Sequence, residues 1–438
     1  MRQLTIGIDG YNLAMPRGTG IATYGLNLAR TLKAGGHRTI GVFGLHVGKN
    51  PSLRETLFFD RVGQPQTGRV VFGGRWQRRG HMMQATLNWM LKAEAVDVPL
   101  TNRVDKDAFA EKLPHFDRLT SATGLFPLGQ RHFTMTGRFL SLQMENPPEI
   151  MHWTYPVPVR VEGARNIYTI HDLVPLRLPY TTLTNKPDFA RLLHRCAIEA
   201  DHLCTVSEFS RQDIIDQCGI ASEKITNTYQ NSFIPSEILE ESVEDSARKI
   251  EGIFGLKPKG FFLFFGAVEP KKNLGRLIEA YLGLPDQPPL VLVGARAWMS
   301  EGELSLLPEN DPRIIRLDYL NRDTLLRLTR SARAVLFPSI FEGFGLPVLE
   351  AMELGTPVLT SDRSSLPEVA GDAALLIDPY SIASIATGIQ RLNSDSDLRE
   401  ALSRKGPEQA RKFAEAAYLG NLEKMYRHVS ASAMYETG

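Results

Sequence analysis

The chain has 438 residues, of which 43% are hydrophobic and 23% are charged, and its formal net charge at pH 7 is +1. This length favours two or more domains, and the near-neutral charge argues against general nucleic-acid binding. No apolar run reaches the length of a membrane span, and the odd number of cysteines, 3, indicates reduced thiols. An apolar strand begins almost at the first residue, without a signal peptide, so we expect a cytoplasmic protein.

The first half of the sequence opens with a strand, a glycine-containing turn and a helix, which is the start of a βαβ unit. The predicted elements are a strand at 4–9, a turn at 17–20, a helix at 21–33 and a strand at 38–43. Periodicity is weak between about 47 and 148. Beyond this region the pattern predicts strands at 166–170, 203–206 and 224–229, and helices at about 187–200 and 208–218.

The second half repeats an alternation of strands and helices after a polar, acidic stretch at 235–245, which we predict to be a linker. The predicted strands are short and apolar on both faces, as in a parallel sheet covered on two sides: 261–265, 290–293, 314–317, 334–337, 356–360 and 374–377. We therefore predict an α/β fold with two doubly wound domains, 1–235 and 236–410, and a helical tail at 411–438. Strand carboxyl ends should face a cleft between the domains.

Two glycines, Gly18 and Gly20, lie between the first strand and its helix. Glycine allows a ligand to approach the backbone closely, although a plain tight turn of a βα unit has the same composition. Thr23 stands where a complete GxGxxG fingerprint has its third glycine. The sequence therefore argues against a dinucleotide-binding oxidoreductase.

A histidine and an aspartate, His171 and Asp172, follow a predicted strand at its carboxyl end. Ligands bind at this edge in doubly wound sheets, and a neutral imidazole can hydrogen-bond a sugar hydroxyl or a phosphate oxygen. The alternative is a histidine that pairs with Asp172 to close a loop. The position at the strand end favours a functional role for His171.

A second strand end carries positive charge, because Gly266 is followed by Lys271 and Lys272 where the next helix opens. A helix N-terminus disfavours cations, so two lysines there indicate a neighbouring anion. A diphosphate leaving group is such an anion, since its charge grows as a glycosidic bond breaks. A solvated basic helix start is the alternative.

Two carboxylates, Glu342 and Glu350, are separated by seven residues that include two glycines and a proline. The segment follows the predicted strand at 334–337, so we expect Glu342 in a turn and Glu350 on the helix that the turn starts. Glycines leave N–H groups open to an anion, and Glu350 could accept both hydroxyls of a ribose while Glu342 meets a sugar. Surface helix carboxylates are the alternative. The combination predicts a nucleotide-sugar site.

Two other patterns have the DxD spacing with which some sugar-transfer enzymes bind a metal, at 105–107 and 395–397. Neither ends a predicted core strand, so helix caps and solvated turns explain them better. No Cys/His spacing indicates zinc. We expect no metal and no cofactor.

A basic stretch without any acidic residue extends from Arg61 to Lys92 and contains Phe72, Trp76 and Trp89. Basic residues with exposed aromatic rings can lie on anionic lipid headgroups. The stretch could equally bind a phosphorylated acceptor, or be an ordinary basic face above a buried tryptophan. These alternatives stay open.

Taken together, the motifs resemble those of retaining glycosyltransferases of family 4, which have the GT-B fold of two Rossmann-like domains. The matching segments, in chain order, are 18–24, 169–173, 206–210, 269–273, 342–350 and 367–371. The resemblance does not extend through about 47–148. The Glu-Pro-x-Lys-Asn form of 269–273 resembles bacterial mannosyltransferases of O-antigen and exopolysaccharide assembly, which implies GDP-mannose as the donor.

This resemblance implies a role for each motif. His171, Lys272 and Glu342 would be catalytic, contacting the donor sugar, the diphosphate and the transferred sugar in that order. Many members carry an arginine directly after Gly266, where this chain has Ala267, so Lys271 is expected to supply the second positive charge. The other implied donor-binding residues are Gly18, Gly20, Gly266, Gly343, Phe344, Gly345, Leu346 and the ribose-binding Glu350.

The sequence thus predicts metal-independent sugar transfer, with retention at the anomeric carbon, from a nucleotide sugar to a growing, lipid-linked saccharide at the cytoplasmic membrane face. A nucleotide-sugar epimerase or hydrolase of the same fold is one alternative, and it would need no acceptor. A non-catalytic glycosyltransferase-like subunit that binds a partner through 47–148 is another. The intact set of lysines and glutamates argues against the latter.

Overall fold

The structure is a computed structural model, and it describes residues 2–15, 20–62, 64, 92–101, 103–105, 109, 113–182, 184–294, 311–317 and 320–435. Three features of the sequence lie outside these residues: Gly18, the aspartate at 107 in the pattern at 105–107, and most of the basic stretch at 61–92. Within them, the backbone forms two large sheets, one in each half of the chain.

The first sheet has eight strands in the order β11-β10-β9-β7-β1-β2-β5-β4. Neighbouring strands are parallel except β4 and β5. Its strands are β1 (Thr5–Asp9), β2 (Arg38–Phe43), β4 (Val96–Val98), β5 (Arg118–Ser121), β7 (Ile150–Trp153), β9 (Arg165–Thr169), β10 (His202–Thr205) and β11 (Ile225–Asn227). A small parallel sheet contains β3 (Ala93–Glu94), β6 (Leu140–Gln143) and β8 (Val159–Val161).

Helices cover the first sheet because each has an apolar face. In α1 (Gly20–Ala34), Tyr24, Leu28 and Leu32 recur every four residues and are fully buried. The next helices are α2 (Arg54–Arg61), α3 (Leu125–Thr136), α4 (Val174–Arg177), α5 (Lys186–Glu199) and α6 (Glu208–Cys218). Ser207 caps α6 by accepting a hydrogen bond from the N–H of Ser210.

The second sheet has six parallel strands in the order β14-β13-β12-β15-β16-β17. They are β12 (Phe262–Phe265), β13 (Leu290–Val293), β14 (Ile314–Leu317), β15 (Ala334–Phe337), β16 (Val358–Ser361) and β17 (Leu375–Ile377). The four inner strands are buried throughout, whereas the edge strands β14 and β17 are partly exposed, so not every strand is apolar on both faces.

Further helices pack on both faces of this sheet: α9 (Leu274–Leu282), α10 (Arg322–Ser331), α11 (Leu346–Glu353), α12 (Leu366–Ala370), α13 (Ile382–Ser394) and α14 (Ser396–Ala410). The linker prediction at 235–245 is wrong, because α7 (Ser236–Glu240) and the start of α8 (Val243–Phe254) occupy this stretch. Ile238 packs against Leu326 and Leu354, and this burial stabilises a segment in which Glu237 and Glu240 are exposed. The side chain of Glu241 is only 8% exposed and pairs with Lys249 and Arg327.

The last helix, α15 (Glu415–Tyr435), returns to the first domain and packs against α1. Its Tyr426 is fully buried and shares a hydrogen bond of 2.7 Å with Nδ1 of His152 in β7. His152 Nε2 lies 2.8 Å from Oγ1 of Thr169. Both imidazole nitrogens are therefore satisfied inside the core.

Two further findings concern the membrane and the thiols. Among the described helices, none combines the length and apolarity that crossing a bilayer requires. Cys196, Cys204 and Cys218 are all free, and the first two are buried.

The buried histidine predicts a pH dependence of stability. Burial, together with the smaller effect of the nearby His171, lowers the pKa of His152 from 6.5 to about 3. The pKa of His152 is lower in the folded protein than in the unfolded chain. Its contribution to the free energy of unfolding is therefore complete above pH 6.5 and is lost as the pH falls toward 3. Replacing it with glutamine should remove this loss, which is about 1.4 kcal/mol per pH unit.

When the pH falls from 6.5 to 5, we therefore expect the free energy of unfolding of His152→Gln to rise by about 2 kcal/mol relative to that of the unchanged protein. Urea unfolding at both pH values measures this difference, since all other titrating groups cancel. An identical difference at both pH values would contradict the assignment.

Candidate active site

A cleft of ≈ 470 Å³ lies between the two domains, where the strands of both sheets end. From the first domain it is lined by Gly20, Thr23, Tyr155, His171, Asp172 and Phe189, among others. From the second it is lined by Gly266, Lys271, Lys272, Arg322, Glu342, Gly343, Phe344, Gly345, Leu346 and Glu350. Every predicted site residue that the structure describes is therefore in one place. Gly18 lies outside the described residues.

Backbone hydrogen bonds join the two loops that carry the charged residues. The N–H of Ile340 donates to the carbonyl of Lys271 at 2.8 Å. Asn273 adopts a left-handed conformation and donates through Nδ2 to the carbonyls of Pro338 and Pro379, at 3.0 and 2.7 Å. These bonds fix the lysines next to the loop that contains Glu342.

The charged centre of the cleft is an ion pair between Lys272 and Glu342, with 2.6 Å between Nζ and Oε1. The two side chains are only 12% and 9% exposed, and Lys272 Nζ also lies 4.8 Å from the centre of the Phe337 ring. Burial acts to raise the pKa of Glu342, but the charges of Lys272 and Lys271 outweigh it and hold the pKa below its usual value. Glu342 is thus a carboxylate at neutral pH.

Lys271 adds a second cation. Burial alone would lower the pKa of its ammonium, but the carboxylates of Glu342 and Asp172 raise it above its usual value. The cleft therefore contains two firm positive charges close to one buried carboxylate.

On the opposite wall, the backbone orients His171. Its Nε2–H donates to the carbonyl of Thr154 at 2.8 Å, and the edge of the Tyr24 ring packs on the imidazole with 4.8 Å between centroids. Burial lowers the pKa of His171, and Lys271 contributes to this, so the ring is neutral with Nδ1 available as an acceptor. Asp172 accepts a hydrogen bond from the N–H of Val174, while His171 donates to the carbonyl of Thr154.

The glycine segment forms the turn that starts α11. Gly345 is the N-cap at φ 105°, where a Cβ would lie 2.7 Å from Leu366. Ser365 fixes the turn by donating to the carbonyls of Glu342 and Phe344, at 2.9 and 3.0 Å. The residues that open the helix line the cleft, at the positive end of the helix dipole.

Glu350 lies one turn into α11, and its side chain is only 5% exposed. Its Oε1 accepts a hydrogen bond of 2.5 Å from the guanidinium of Arg322, the first residue of α10. The sequence analysis did not single out Arg322, because a lone arginine at a helix start carries no motif.

The two domains touch directly behind the cleft. A Cβ at Gly343 would overlap the carbonyl of His171, so only glycine allows this approach. Ser210 Oγ donates to the carbonyl of Gly343 at 3.3 Å. Glu368 accepts hydrogen bonds from the N–H groups of Glu208 and Phe209, at 2.8 and 3.1 Å, and so caps a helix of the other domain.

Among the described residues, no three His, Cys, Asp or Glu side chains cluster as metal ligands would. Asp395 caps α14 by accepting from the N–H of Leu398, as the sequence analysis expected of this DxD pattern. At 105–107, only Asp105 is described.

Comparisons with known proteins show the family of this chain. The model for glycosyl transferases group 1 matches residues 246–409, and that for glycosyltransferase family 4 matches residues 96–229. O-antigen chain mannosyltransferase B of Escherichia coli is 34% identical over 269 residues, covering 59% of this chain and 68% of that relative. The chain therefore belongs to the glycosyltransferases of family 4, and it is a hexosyltransferase.

A second relative, the serotype-specific mannosyltransferase WbdA of Escherichia coli, is 29% identical over 314 residues; the alignment covers 65% of this chain and 36% of WbdA. Among solved structures, HepE of Anabaena in complex with UDP and glucose has a TM-score of 0.63 at 14% identity, over 97% of this chain and 100% of that one. WaaG, a glycosyltransferase of lipopolysaccharide biosynthesis, has a TM-score of 0.60 at 16% identity, over 96% and 99%. These similarities confirm the GT-B fold.

The contact behind the cleft generates a prediction. In Gly343→Ala the new Cβ would overlap a backbone carbonyl that cannot rotate away, so the domains must shift apart by a fraction of an ångström or more. We expect the rate of sugar transfer to fall about tenfold or more, because misplaced reacting groups lose most of their proximity advantage.

The matched control is Gly252→Ala in α8, where a Cβ would have no atom within 4 Å. This variant should keep the transfer rate. Equal rates for both variants would show that the close approach of Gly343 to His171 is not required.

Proposed function

We propose that this enzyme transfers mannose from GDP-mannose to a growing, lipid-linked saccharide in surface polysaccharide synthesis, with retention at the anomeric carbon and without a metal. The observation that carries the proposal is the buried pair of Lys272 and Glu342 in a cleft that also holds Lys271 and His171. The relatives named as O-antigen mannosyltransferases support the choice of mannose and of polysaccharide synthesis.

The diphosphate would bind between the lysines and the start of α11. Lys271, Lys272 and residues 343–346 at the start of α11 line the cleft together. Preorganised cations and helix N-termini stabilise charge that grows on a leaving phosphate, and they do so most strongly where water is excluded. In this proposal the lysines take the role that a divalent cation has in other sugar-transfer enzymes.

The nucleoside and the sugar would lie on either side of the diphosphate. Glu350 would accept the ribose hydroxyls, since its carboxylate is fixed at the wall of the cleft. Glu342 would accept sugar hydroxyls while it keeps its contact with Lys272. His171 would meet the sugar from the other domain through Nδ1, its free acceptor.

The transfer would occur on one face of the sugar. The bond from the anomeric carbon to the phosphate oxygen breaks, and a bond from the same carbon to the acceptor oxygen forms on the same side. The acceptor hydroxyl gives its proton to the departing phosphate oxygen, whose negative charge Lys271 and Lys272 stabilise. No enzyme carboxylate needs to act as a nucleophile, and Glu342 is engaged with Lys272.

The acceptor would enter from the first domain, where Tyr155 and Phe189 line the cleft. Aromatic side chains are suited to the apolar faces of sugar rings. In this proposal the basic stretch at 61–92 contacts the membrane or a phosphorylated acceptor, and most of it lies outside the described residues.

A donor screen tests the proposal directly. We expect GDP-mannose to raise the melting temperature more than UDP-, dTDP- or ADP-sugars, since a ligand of the native state stabilises it. Turnover of GDP-mannose should require the saccharide acceptor. Rapid turnover without any acceptor would instead favour the epimerase or hydrolase alternative, and the absence of any nucleotide-sugar binding would favour the non-catalytic subunit.

Removal of Lys272 should abolish most turnover. We expect Lys272→Met to lower kcat by about 10²–10³, because one fixed donor to the leaving group is lost. The substitution leaves Glu342 buried without its partner, so Lys272→Met combined with Glu342→Gln serves as the folding control. Lys405→Met, which breaks an exposed ion pair with Asp372, should keep full activity. Near-normal turnover of a folded Lys272→Met protein would contradict the role of Lys272.

Retention predicts the configuration of the product. The new glycosidic bond should have the α configuration of GDP-α-mannose, because the phosphate departs and the acceptor attacks on the same face. The one-bond carbon–hydrogen coupling at the anomeric carbon, measured by NMR on the product, distinguishes the two anomers. A β-linked product would contradict the same-face mechanism.

A further inference from the structure

Arg322 occupies an unusual place at the edge of the cleft. It is the first residue of α10, where the helix dipole disfavours a cation, and the side chain of Asn321 already caps that helix. The guanidinium nevertheless reaches across to α11 and pairs with Glu350 at 2.5 Å. The arginine is 37% exposed toward the cleft, whereas Glu350 is 5% exposed.

We propose that Arg322 is a positioning residue that holds the Glu350 carboxylate in the orientation required by the two ribose hydroxyls of the donor. This inference rests on the proposed function. A guanidinium that holds one carboxylate oxygen leaves the second oxygen pointing in a fixed direction, so the acceptor is arranged before the nucleotide arrives.

A second carboxylate, Glu353, lies one turn further along α11. Burial raises the pKa of its carboxyl and the charge of Glu350 adds to this, whereas a hydrogen bond with Ser232 and the charge of Arg322 lower it. Arg322 therefore acts on both carboxylates, but its hydrogen bond goes to Glu350, the one of the two that lines the cleft.

The arginine is itself held from the first domain. Its guanidinium lies 3.5 Å from the carbonyl of Phe233, in the segment that connects the two domains. Arg30 of α1 stacks over the ring of Phe233, 4.3 Å from its centroid. Asn27 of α1 donates to the carbonyl of Asn231 at 2.9 Å. The connecting segment therefore gives Arg322 a fixed support on the side away from Glu350.

A nucleotide without ribose hydroxyls separates this role from direct contact with phosphate or base. Calorimetry measures the Kd of GDP and of 2′,3′-dideoxy-GDP for the unchanged protein and for Arg322→Met and Glu350→Gln. The unchanged protein should bind GDP about tenfold more tightly than the dideoxy compound. Arg322→Met should weaken the binding of GDP about tenfold and leave the binding of the dideoxy compound unchanged. Glu350→Gln should have the same effect, so the ratio of the two Kd values should approach one in both variants.

The matched control is Arg327→Met on the same helix, which breaks an ion pair of 2.7 Å with Glu241 outside the cleft. This variant should keep the tenfold ratio. If Arg322→Met does not fold, Arg322→Lys replaces it. Lysine keeps the charge but lacks the planar guanidinium, so the ratio should fall between one and ten.

If the Arg322 variants bind both nucleotides more weakly by the same factor, the inference is overturned in favour of a phosphate or base contact. If they bind both nucleotides as tightly as the unchanged protein does, it is overturned outright. In both cases the proposed function would stand, because the unchanged protein still binds GDP. If the donor screen selects uridine, UDP and its 2′,3′-dideoxy analogue replace the guanosine pair. An unchanged protein that binds no nucleoside diphosphate would overturn both proposals.

Discussion

A buried ion pair between Lys272 and Glu342 determines what the cleft can bind. Such a pair is costly to remove from water and persists only where the surrounding geometry fixes both partners. Here the geometry comes from the two loops, because the backbone N–H of Ile340 and the side-chain amide of Asn273 tie them together. The cleft consequently presents two ammonium groups, of which Lys272 is paired with Glu342 and Lys271 lies near the same carboxylate.

The arrangement of this centre could be predicted from the sequence because its parts are local. Continuous apolar runs gave strands that agree with β12 and β15 to within one residue, and polar residues directly after such runs lie at the strand ends of a parallel sheet. The turn that starts α11 needs a glycine at Gly345 and a proline shortly after it, and both are visible in the sequence. The charged residues, the turn and the strand end could therefore be predicted together from one stretch of the sequence.

Elements that depend on distant partners could not be predicted in this way. β7 was missed because it contains a histidine, whose burial is offset by Thr169 and by Tyr426, 274 residues away in the chain. Arg322 was missed for the same reason, since its partner lies on another helix. The stretch at 235–245 has the composition of a linker, and only the packing of Ile238 against α10 and α11 makes it helical.

The contacts between the domains differ in kind from those within the charged centre. Glu368 caps α6 at an exposed position, where water can replace a carboxylate as the acceptor at small cost. Gly343 meets His171 through van der Waals contact alone. The pair of Lys272 and Glu342, by contrast, lies wholly within the second domain. Separation of the domains would therefore leave this ion pair intact and move His171 away from it.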